Sequence, residues 1–320
     1  MKVAIQNSEY GQRGGIGTYS NRLCRYLNQL KDVEAEQFVN KYRGKADIFC
    51  IQYEPGCTPP QKLNWFLMNL EEPIVVTAHH TLQLPQFYPM LDGVVLHSDK
   101  QINDKPWSYK VIPHPALVYK KKDKKKLRQK YGLPIDKKIV GTMGFIHGTG
   151  KVLPASVHHI LKNLKEDEFL YLITPFWKGG DNGRLKEITD VVTELGKENQ
   201  FKIEPDFTVD EEILNEKMQC CDLMYAWNNT DIHAPGGQSG SAADMYGARV
   251  KVILKDSPHY EFLLQQDKVL KGRPGIVEFC EDILKALREE DLSDVQDPTW
   301  LSWEEQIKEY VEYFKEVLGE

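Results

Sequence analysis

Short apolar runs alternate with amphipathic segments along the first third of the chain, and this alternation predicts parallel strands connected by helices. The first predicted helix carries Leu23, Tyr26, Leu27 and Leu30 at helical spacing. The predicted strands lie at 3–5, 48–52, 74–77, 94–97 and 110–112, and the predicted helices include 18–30 and 60–70.

A proline-rich break follows at Ile112-Pro113-His114-Pro115, after which the alternation starts again. In this second part the predicted strands lie at 138–143, 169–174, 201–204, 222–226 and 250–254, and the predicted helices lie at 156–164, 185–195 and 210–218. We therefore predict an α/β protein with two Rossmann-like domains, 1–115 and 116–300, that face a cleft. The pair Ser302 and Glu305 then forms a capping box that predicts the start of a last helix.

Composition agrees with two domains, because 320 residues suit two units of ~150 residues each and 41% of the residues are hydrophobic. No stretch approaches the ~20 apolar residues of a membrane-spanning helix, so we expect no transmembrane segment. The six cysteines form neither a C-x-x-C pair nor a metal-binding spacing, which favours a reducing, cytoplasmic location. The net charge of -6 does not favour nucleic acid as a general partner.

A run of lysines at 120–126 is the local exception to this acidic balance. It predicts either a solvated helix start after a linker or a patch that binds an anionic partner, such as DNA, phospholipid or a phosphorylated sugar. We favour the solvated helix start, since most charge runs serve only to keep a surface in water.

Two glycine-rich turns stand directly before predicted helices, Gly14-Gly15-Ile16-Gly17 near the start and the segment 235–241 far down the chain. Glycine lets a backbone approach a ligand closely, and the start of a helix offers N–H groups and a positive dipole end. A phosphate or a sugar hydroxyl would fit there, although a plain tight turn explains each segment as well. Neither a G-x-G-x-x-G fingerprint nor a Walker A lysine is present.

Several segments resemble, in order along nearly the whole chain, the retaining glycosyltransferases with the GT-B fold, also called glycosyltransferase group 1. They include the turn at 14–17, the strand ends DIFCIQYEP at 47–55 and PIVVTAHH at 73–80, the hinge strand KVIPH at 110–114 and the last helix around Trp303. The resemblance implies an enzyme that moves a hexosyl or pentosyl group from a nucleotide-sugar donor to an acceptor hydroxyl with retention of configuration. It also implies that no metal and no separate cofactor take part, since the nucleotide sugar is a substrate.

The same resemblance assigns the first domain to the acceptor, with a helix at 301–320 packed back on it, and the second domain to the donor. It makes His79 and Lys151 the catalytic candidates, because His79 would contact the sugar or the acceptor hydroxyl and Lys151 would neutralise the departing diphosphate. The donor-binding candidates are Gly15, Gly17, Gln238, Ser239, Gly240, Ser241 and Asp244, and the acceptor-side candidates are Gln52, Tyr53 and Glu54.

The chain departs from the family pattern around the expected donor site. Phe145 stands where the family has an arginine, and Lys151 comes one position late. Of the family's glutamate pair, the first position is Gly236 and the second is Asp244, whose carboxylate could accept hydrogen bonds from a ribose diol. Each candidate also has a simple structural explanation: His79 as a strand-end histidine, Lys151 as a surface lysine and Asp244 as an acid that favours its helix dipole.

These departures leave two other functions open. A sugar-nucleotide epimerase of the same fold would need no acceptor. A non-catalytic subunit that binds a nucleotide or a sugar would need neither the arginine nor the first glutamate. The acceptor also stays open among a glycan, a lipid, a protein and a modified DNA base.

Overall fold

The computed structural model describes residues 1–10, 14–81, 83–99, 106–145, 152–175, 182–228 and 238–320. These residues divide into two compact units. The first unit contains Met1–Pro115 and Trp300–Glu320, and Gln238 groups with it. The second unit contains the described residues from Ala116 to Asn228 together with Ser239–Thr299.

Both units are built from parallel strands and helices. The strands are β1 (Lys2–Gln6), β2 (Glu34–Phe38), β3 (Ile48–Tyr53), β4 (Ile74–Ala78), β5 (Gly93–Leu96), β6 (Tyr109–Val111), β7 (Lys138–Met143), β8 (Glu168–Ile173), β9 (Phe201–Glu204), β10 (Leu223–Ala226), β11 (Lys251–Lys255) and β12 (Leu270–Gly272). The helices are α1 (Gly15–Leu27), α2 (Pro60–Asn69), α3 (Lys124–Lys130), α4 (Pro154–Asn163), α5 (Asn182–Glu194), α6 (Glu211–Gln219), α7 (Gly240–Gly247), α8 (Glu261–Leu264), α9 (Ile276–Glu289) and α10 (Trp303–Leu318). In the described ranges, no helix is both long enough and apolar enough to cross a bilayer.

The first unit contains a six-stranded sheet in the order β2-β1-β3-β4-β5-β6, and every pair in it is parallel. The direction in which the chain adds strands reverses between β1 and β3. In open parallel sheets, ligands bind beyond the carboxyl ends of the strands at such a reversal. Strands β3 and β4 are fully buried, so their near-continuous apolar runs match their place inside the sheet.

The second unit also contains a six-stranded parallel sheet, in the order β9-β8-β7-β10-β11-β12. Numbered within the unit this order is 3-2-1-4-5-6, which is the Rossmann order with its reversal between β7 and β10. The close approach of strands requires Gly141 in β7, because a Cβ there would lie 2.5 Å from Cys221 Sγ. The predicted α/β class with two Rossmann-like sheets is therefore confirmed.

Helix α10 completes the first unit from the far end of the chain. Ser302 caps it, since its Oγ accepts the Glu305 N–H at 3.2 Å as the capping box predicts. The hydroxyls of Tyr310 and Tyr19 share a hydrogen bond of 2.6 Å, and the Val94 N–H donates to Tyr313 Oη at 3.0 Å. The aromatic side chains of α10 thus contact both α1 and the backbone of β5 near its start.

An extended segment at 116–122, called the strap below, lies against helices α6 and α7. The Leu117 N–H donates to Asp244 Oδ1 at 2.9 Å, and Asn215 Nδ2 donates to the Leu117 carbonyl at 3.1 Å. The strap packs so closely on Gly247 that a Cβ there would collide with the Leu117 carbonyl. Side chains of two helices therefore satisfy backbone groups of the strap at Leu117.

Candidate functional site

Polar side chains surround the point in the first sheet where the strand order reverses. Gln6 is the last residue of β1 and is fully buried. Its Oε1 accepts from Thr58 Oγ1 at 3.3 Å, and Thr58 Oγ1 also lies 2.9 Å from Ser8 Oγ. Hydroxyls and amides at this position can orient a polar ligand, as expected beyond the carboxyl ends of β1 and β3.

The buried carboxylate of Glu9 lies beside the first glycine-rich turn. Glu9 is 3% exposed, and its Oε2 accepts the Gly17 N–H at 3.0 Å. A Cβ at Gly14 would collide with the same carboxylate, so a side chain at this position would force Glu9 to move. The Glu9 carboxylate thus stabilises the start of α1 in the way that a bound phosphate would. The contact of Gly15 and Gly17 with a nucleotide-sugar donor stays a prediction, and such a donor would lie next to the Glu9 carboxylate.

The acceptor-side candidates lie at the end of β3. Tyr53 is fully buried in the hydrophobic core of the first sheet, where burial raises the pKa of its phenol to about 12. Glu54 is partly buried in the following turn, where its carbonyl accepts the Cys57 N–H at 2.9 Å. Gln52 is also fully buried, and its Oε1 lies 2.9 Å from Nε2 of His79, which directly follows β4. The structure therefore brings Gln52 and His79 together.

His79 belongs to a group of three histidines that we call the histidine cluster: His79, His97 and His114. The ring centroids of His79 and His97 are 5.2 Å apart, and those of His97 and His114 are 5.3 Å apart. Tyr19 lies in the middle, with its ring 4.6 to 5.5 Å from all three. Trp303 of α10 packs on the other side of Tyr19, at 5.0 Å.

Burial keeps two imidazoles of the cluster, those of His79 and His97, neutral at physiological pH. Burial lowers the pKa of His97 to about 4, although the hydrogen bond between its Nδ1 and the Ile112 carbonyl acts in the opposite direction. Burial also lowers the pKa of His79 well below its usual value, and the neighbouring His97 and His114 lower it further. Because Gln52 Oε1 can only accept, His79 Nε2 carries the proton and Nδ1 keeps a lone pair.

Sequence reasoning singled out only His79 in this cluster. The signal that could have found the other two was their position in the sequence. One histidine follows each of three successive strands: His79 after β4, His97 after β5 and His114 after β6. These strands are neighbours in the sheet, so their carboxyl ends place the three side chains at one edge. Tyr19 and Tyr310 offered no such signal, because their contact joins residues that are 291 positions apart.

Of the second glycine-rich segment, the structure describes residues 238–241, which lead into α7, while 235–237 lie outside the described residues. Ser239 is the N-cap, and its Oγ accepts the Ala242 N–H at 3.2 Å and lies 3.2 Å from Ser241 Oγ. Ser239 is buried, whereas Gly240 and Ser241 are partly exposed. Nε2 of Gln238 is buried without a hydrogen-bond partner in the described part of the chain. The first turn of α7 can thus offer an anion the favourable end of a helix dipole.

Asp244 has a structural partner that the sequence did not predict. It is 4% exposed, and its Oδ1 accepts the Leu117 N–H of the strap at 2.9 Å. A contact between Asp244 and a ribose would have to form beside this hydrogen bond. The role of Asp244 in donor binding stays a prediction, while its role in holding the strap is a feature of the fold.

The expected diphosphate site lies where the strand order of the second sheet reverses. Phe145, at the position of the family's arginine, follows β7 and stacks on Phe207 with ring centroids 6.1 Å apart. Lys151 and Gly236 lie outside the described residues. The contact between Lys151 and a diphosphate stays a prediction. In the ranges that the structure describes, no group of three or more histidine, cysteine, aspartate or glutamate side chains could hold a metal ion.

Neither a family model nor a curated protein matches this sequence. Solved structures do match its fold. HepE from Anabaena, in complex with UDP, is 15% identical with a TM-score of 0.74, over 99% of this chain and 100% of that chain. A glycosyltransferase from Rickettsia africae ESF-5 is 12% identical with a TM-score of 0.72, over 99% and 98% of the two chains.

A third similar structure is the sucrose-phosphate synthase from Thermosynechococcus elongatus, which is 12% identical with a TM-score of 0.65, over 99% of this chain and 94% of that chain. At these identities the likeness concerns the fold. It extends over both units in each case, and both units carry their polar residues at the carboxyl ends of parallel strands. The chain therefore has the GT-B fold, which it shares with these glycosyltransferases.

Proposed function

We infer that the chain is a glycosyltransferase that moves a sugar from a nucleotide-sugar donor to an acceptor hydroxyl, without a metal and with retention of configuration. One observation carries this proposal: the fold matches HepE over 99% of this chain and all of that chain, and HepE was solved with UDP. HepE was also solved with UDP-glucose. A uridine nucleotide is accordingly the first donor to test.

In this proposal the second unit binds the donor. Ser239, Gly240 and Ser241 form the first turn of α7, whose dipole favours the negative charge of a diphosphate. Lys151 would add a fixed cation near the leaving group, which helps the transition state more than the ground state because charge develops there as the glycosidic bond breaks. A helix terminus and a lysine would together do the work that a metal does in other transferases.

In the first unit, His79 would contact the transferred sugar or the acceptor hydroxyl. Its neutral imidazole, with the proton held on Nε2 by Gln52, presents Nδ1 as an acceptor. An acceptor of this kind can bind a hydroxyl without bringing a positive charge next to an oxocarbenium-like centre. Gln52 would then position His79, while Glu54 would line the acceptor side.

Thermal shift with a panel of nucleotide sugars tests the donor, since a ligand of the native state raises Tm by mass action. We expect UDP-sugars to raise Tm, with GDP-, CDP- and dTDP-sugars as matched controls. Failure of every nucleotide and nucleotide sugar to bind would contradict the proposal.

Product analysis then separates the proposal from its rivals. Release of UDP that depends on an added acceptor supports a transferase. Epimerised nucleotide sugar formed without an acceptor would identify an epimerase, and binding without any turnover would identify a non-catalytic subunit.

A further inference from the structure

A groove in the second unit carries an excess of positive charge. It has a volume of about 530 Å³ and is lined by Lys120, Lys121, Arg249, Val295, Gln296 and Asp297. Three of these side chains are cations and one is an anion, so the lining has a net charge of +2 in a protein whose net charge is -6. Such a local reversal of sign attracts anions.

The structure separates the lysine run into two sets. Internal ion pairs occupy several basic residues: Lys122 and Lys130 bind Glu216, and Lys124 and Arg128 bind Asp222. Two of the six lysines at 120–126, Lys122 and Lys124, thus have a structural role. Lys120, Lys121, Lys125 and Lys126 are exposed instead. Of these four, only Lys120 and Lys121 line the groove.

The backbone that carries the two groove lysines is fixed. Gln219 Nε2 donates to the Lys120 carbonyl at 3.1 Å, and Gln219 Oε1 accepts the Lys122 N–H at 2.8 Å. One amide side chain thus holds the peptide groups on both sides of Lys121. Fixing the backbone in advance lowers the entropy that ligand binding would otherwise cost.

The third cation of the groove, Arg249, has a backbone conformation that glycine ordinarily adopts. Its φ is 59°, in the left-handed region, at the end of α7. Its guanidinium binds Asp297 at 2.7 Å, Thr299 at 3.2 Å and the Tyr119 carbonyl at 3.4 Å. Among the described residues, three of its five N–H donors take part in these contacts.

The groove lies at the opposite end of α7 from the expected donor site. Ser239 caps the start of this eight-residue helix, which is about 12 Å long at 1.5 Å per residue, and Arg249 follows its end. Arg249 also precedes β11, so the groove lies toward the amino ends of the strands. The carbonyl end of α7 disfavours anions, which makes the two lysines the residues on which binding depends.

We propose that this groove binds a phosphorylated ligand at a site of its own, with Lys120 and Lys121 as the principal contacts. A phosphomonoester carries about -1.5 to -2 charges at pH 7, which complements the +2 lining. Its oxygens accept charge-assisted hydrogen bonds from ammonium and guanidinium groups. The site is separate from the proposed donor and acceptor sites, because its lining shares no residue with them.

Calorimetry with glycerol 3-phosphate and with inorganic phosphate tests the site by binding alone. We compare the wild type with Lys120→Gln/Lys121→Gln and with Lys125→Gln/Lys126→Gln, which removes the same two charges from the same run outside the groove. We expect the first variant to bind at least about tenfold more weakly, as for the loss of one charge-assisted hydrogen bond or more, and the second to change less than about twofold. No binding by the wild type, or equal loss in both variants, would overturn the proposal.

Vesicles of phosphatidylcholine with and without phosphatidic acid identify the source of the phosphate. If the acidic vesicles bind and the Lys120→Gln/Lys121→Gln variant does not bind them, the ligand is a lipid headgroup. If glycerol 3-phosphate binds and the vesicles do not, the ligand is a soluble phosphomonoester. Either result supports the groove as an anion site, and neither depends on whether the chain transfers a sugar.

Discussion

The imidazole of His79 donates its Nε2 proton to Gln52 Oε1 at 2.9 Å, across the carboxyl ends of β4 and β3. The two strands are paired in register, since Gln52 lies opposite Thr77 and the His79 N–H donates to the Tyr53 carbonyl at 2.9 Å. The tautomer of the proposed catalytic histidine is thus set by a buried amide on the neighbouring strand. Substitution of Gln52 can therefore test the tautomer of His79 while the histidine itself is kept.

Replacing Gln52 by glutamate should change the ionisation of His79. A carboxylate within hydrogen-bond distance favours the imidazolium, so we expect the pKa of His79 to rise in Gln52→Glu. Long-range ¹H–¹⁵N NMR of the imidazole measures both the pKa and the tautomer. Gln61→Glu adds the same charge at an exposed position of α2 and should leave His79 unchanged. A wild-type His79 protonated on Nδ1 would contradict the assignment.

Removing the imidazole should affect transfer more than donor binding. We expect His79→Ala to lower kcat by about 100-fold or more, the scale of a lost transition-state contact, with little change in nucleotide affinity. Steady-state kinetics with an identified acceptor and calorimetry with UDP provide the two measurements. Turnover at the wild-type rate would make His79 a structural strand-end residue.

Stability should fall in acid because of the histidine cluster. The unfolded chain takes up protons on histidine below about pH 6.5, whereas folded His97 does so only near pH 4. The free energy of unfolding should therefore decrease as the pH falls from about 6.5 to about 4, by about 1.4 kcal/mol per pH unit for one such histidine. Above pH 6.5 this contribution is fully present and constant.

Denaturant unfolding between pH 4 and 8 measures this dependence. His97→Gln should make the curve shallower, whatever its effect on stability at neutral pH. Gln61→Asn, at an exposed position of α2, keeps every histidine in place and should leave the slope unchanged. An equal slope in the wild type and in His97→Gln would show that His97 is not the group responsible.

Two substitutions of Asp244 separate its fold contact from its proposed ligand contact. Asp244→Ala leaves the buried Leu117 N–H without its acceptor, so we expect the free energy of unfolding to drop by about 1–3 kcal/mol. Asp244→Asn keeps an oxygen for that N–H and should remain closer to the wild type. Both should weaken donor binding, by about 1–3 kcal/mol for a lost charge-assisted hydrogen bond. Unchanged donor affinity in Asp244→Asn would limit Asp244 to the strap.

The first glycine-rich turn offers a pair of neighbouring positions with opposite requirements. Gly14→Ala should destabilise the first unit, because the new Cβ meets the Glu9 carboxylate. Gly15→Ala should be tolerated, since no atom lies within 4 Å of its Cβ position and alanine favours a helix. Weaker donor binding by a stable Gly15→Ala would support the predicted contact, and unchanged binding would remove Gly15 from the donor site.

The parts of the fold that the sequence predicted are those with strong local signals. The central strands are continuous apolar runs because both faces of each sheet are covered, and the cap at Asp210 accepts N–H groups of α6 as its position indicates. Strand β2 gave no such signal, since it forms an edge of the sheet and contains Glu34, Glu36 and Gln37. Strand β12 gave no signal either, because its three residues are too few to show an apolar pattern.

Other features were missed for different reasons. Helix α9 was within reach of the sequence, because Phe279, Ile283 and Leu287 recur at helical spacing, yet we did not predict it. The histidine cluster and the bond between Asp244 and Leu117 depend on tertiary contacts over long sequence separations. No local pattern encodes such contacts, and the family resemblance pointed only to His79 and Asp244 themselves.

The position of α10 has a consequence for the order in which the protein forms on the ribosome. The first unit lacks the buried rings of Trp303, Tyr310 and Phe314 until α10 has been synthesised, although its sheet is encoded before Pro115. The second unit has all of its strands by then and can fold while the first still waits for its final helix. Limited proteolysis of a released chain truncated before Trp303 should cut the first unit and spare the second. The first unit, whose sheet is synthesised before the second unit, would thus be the last to become native.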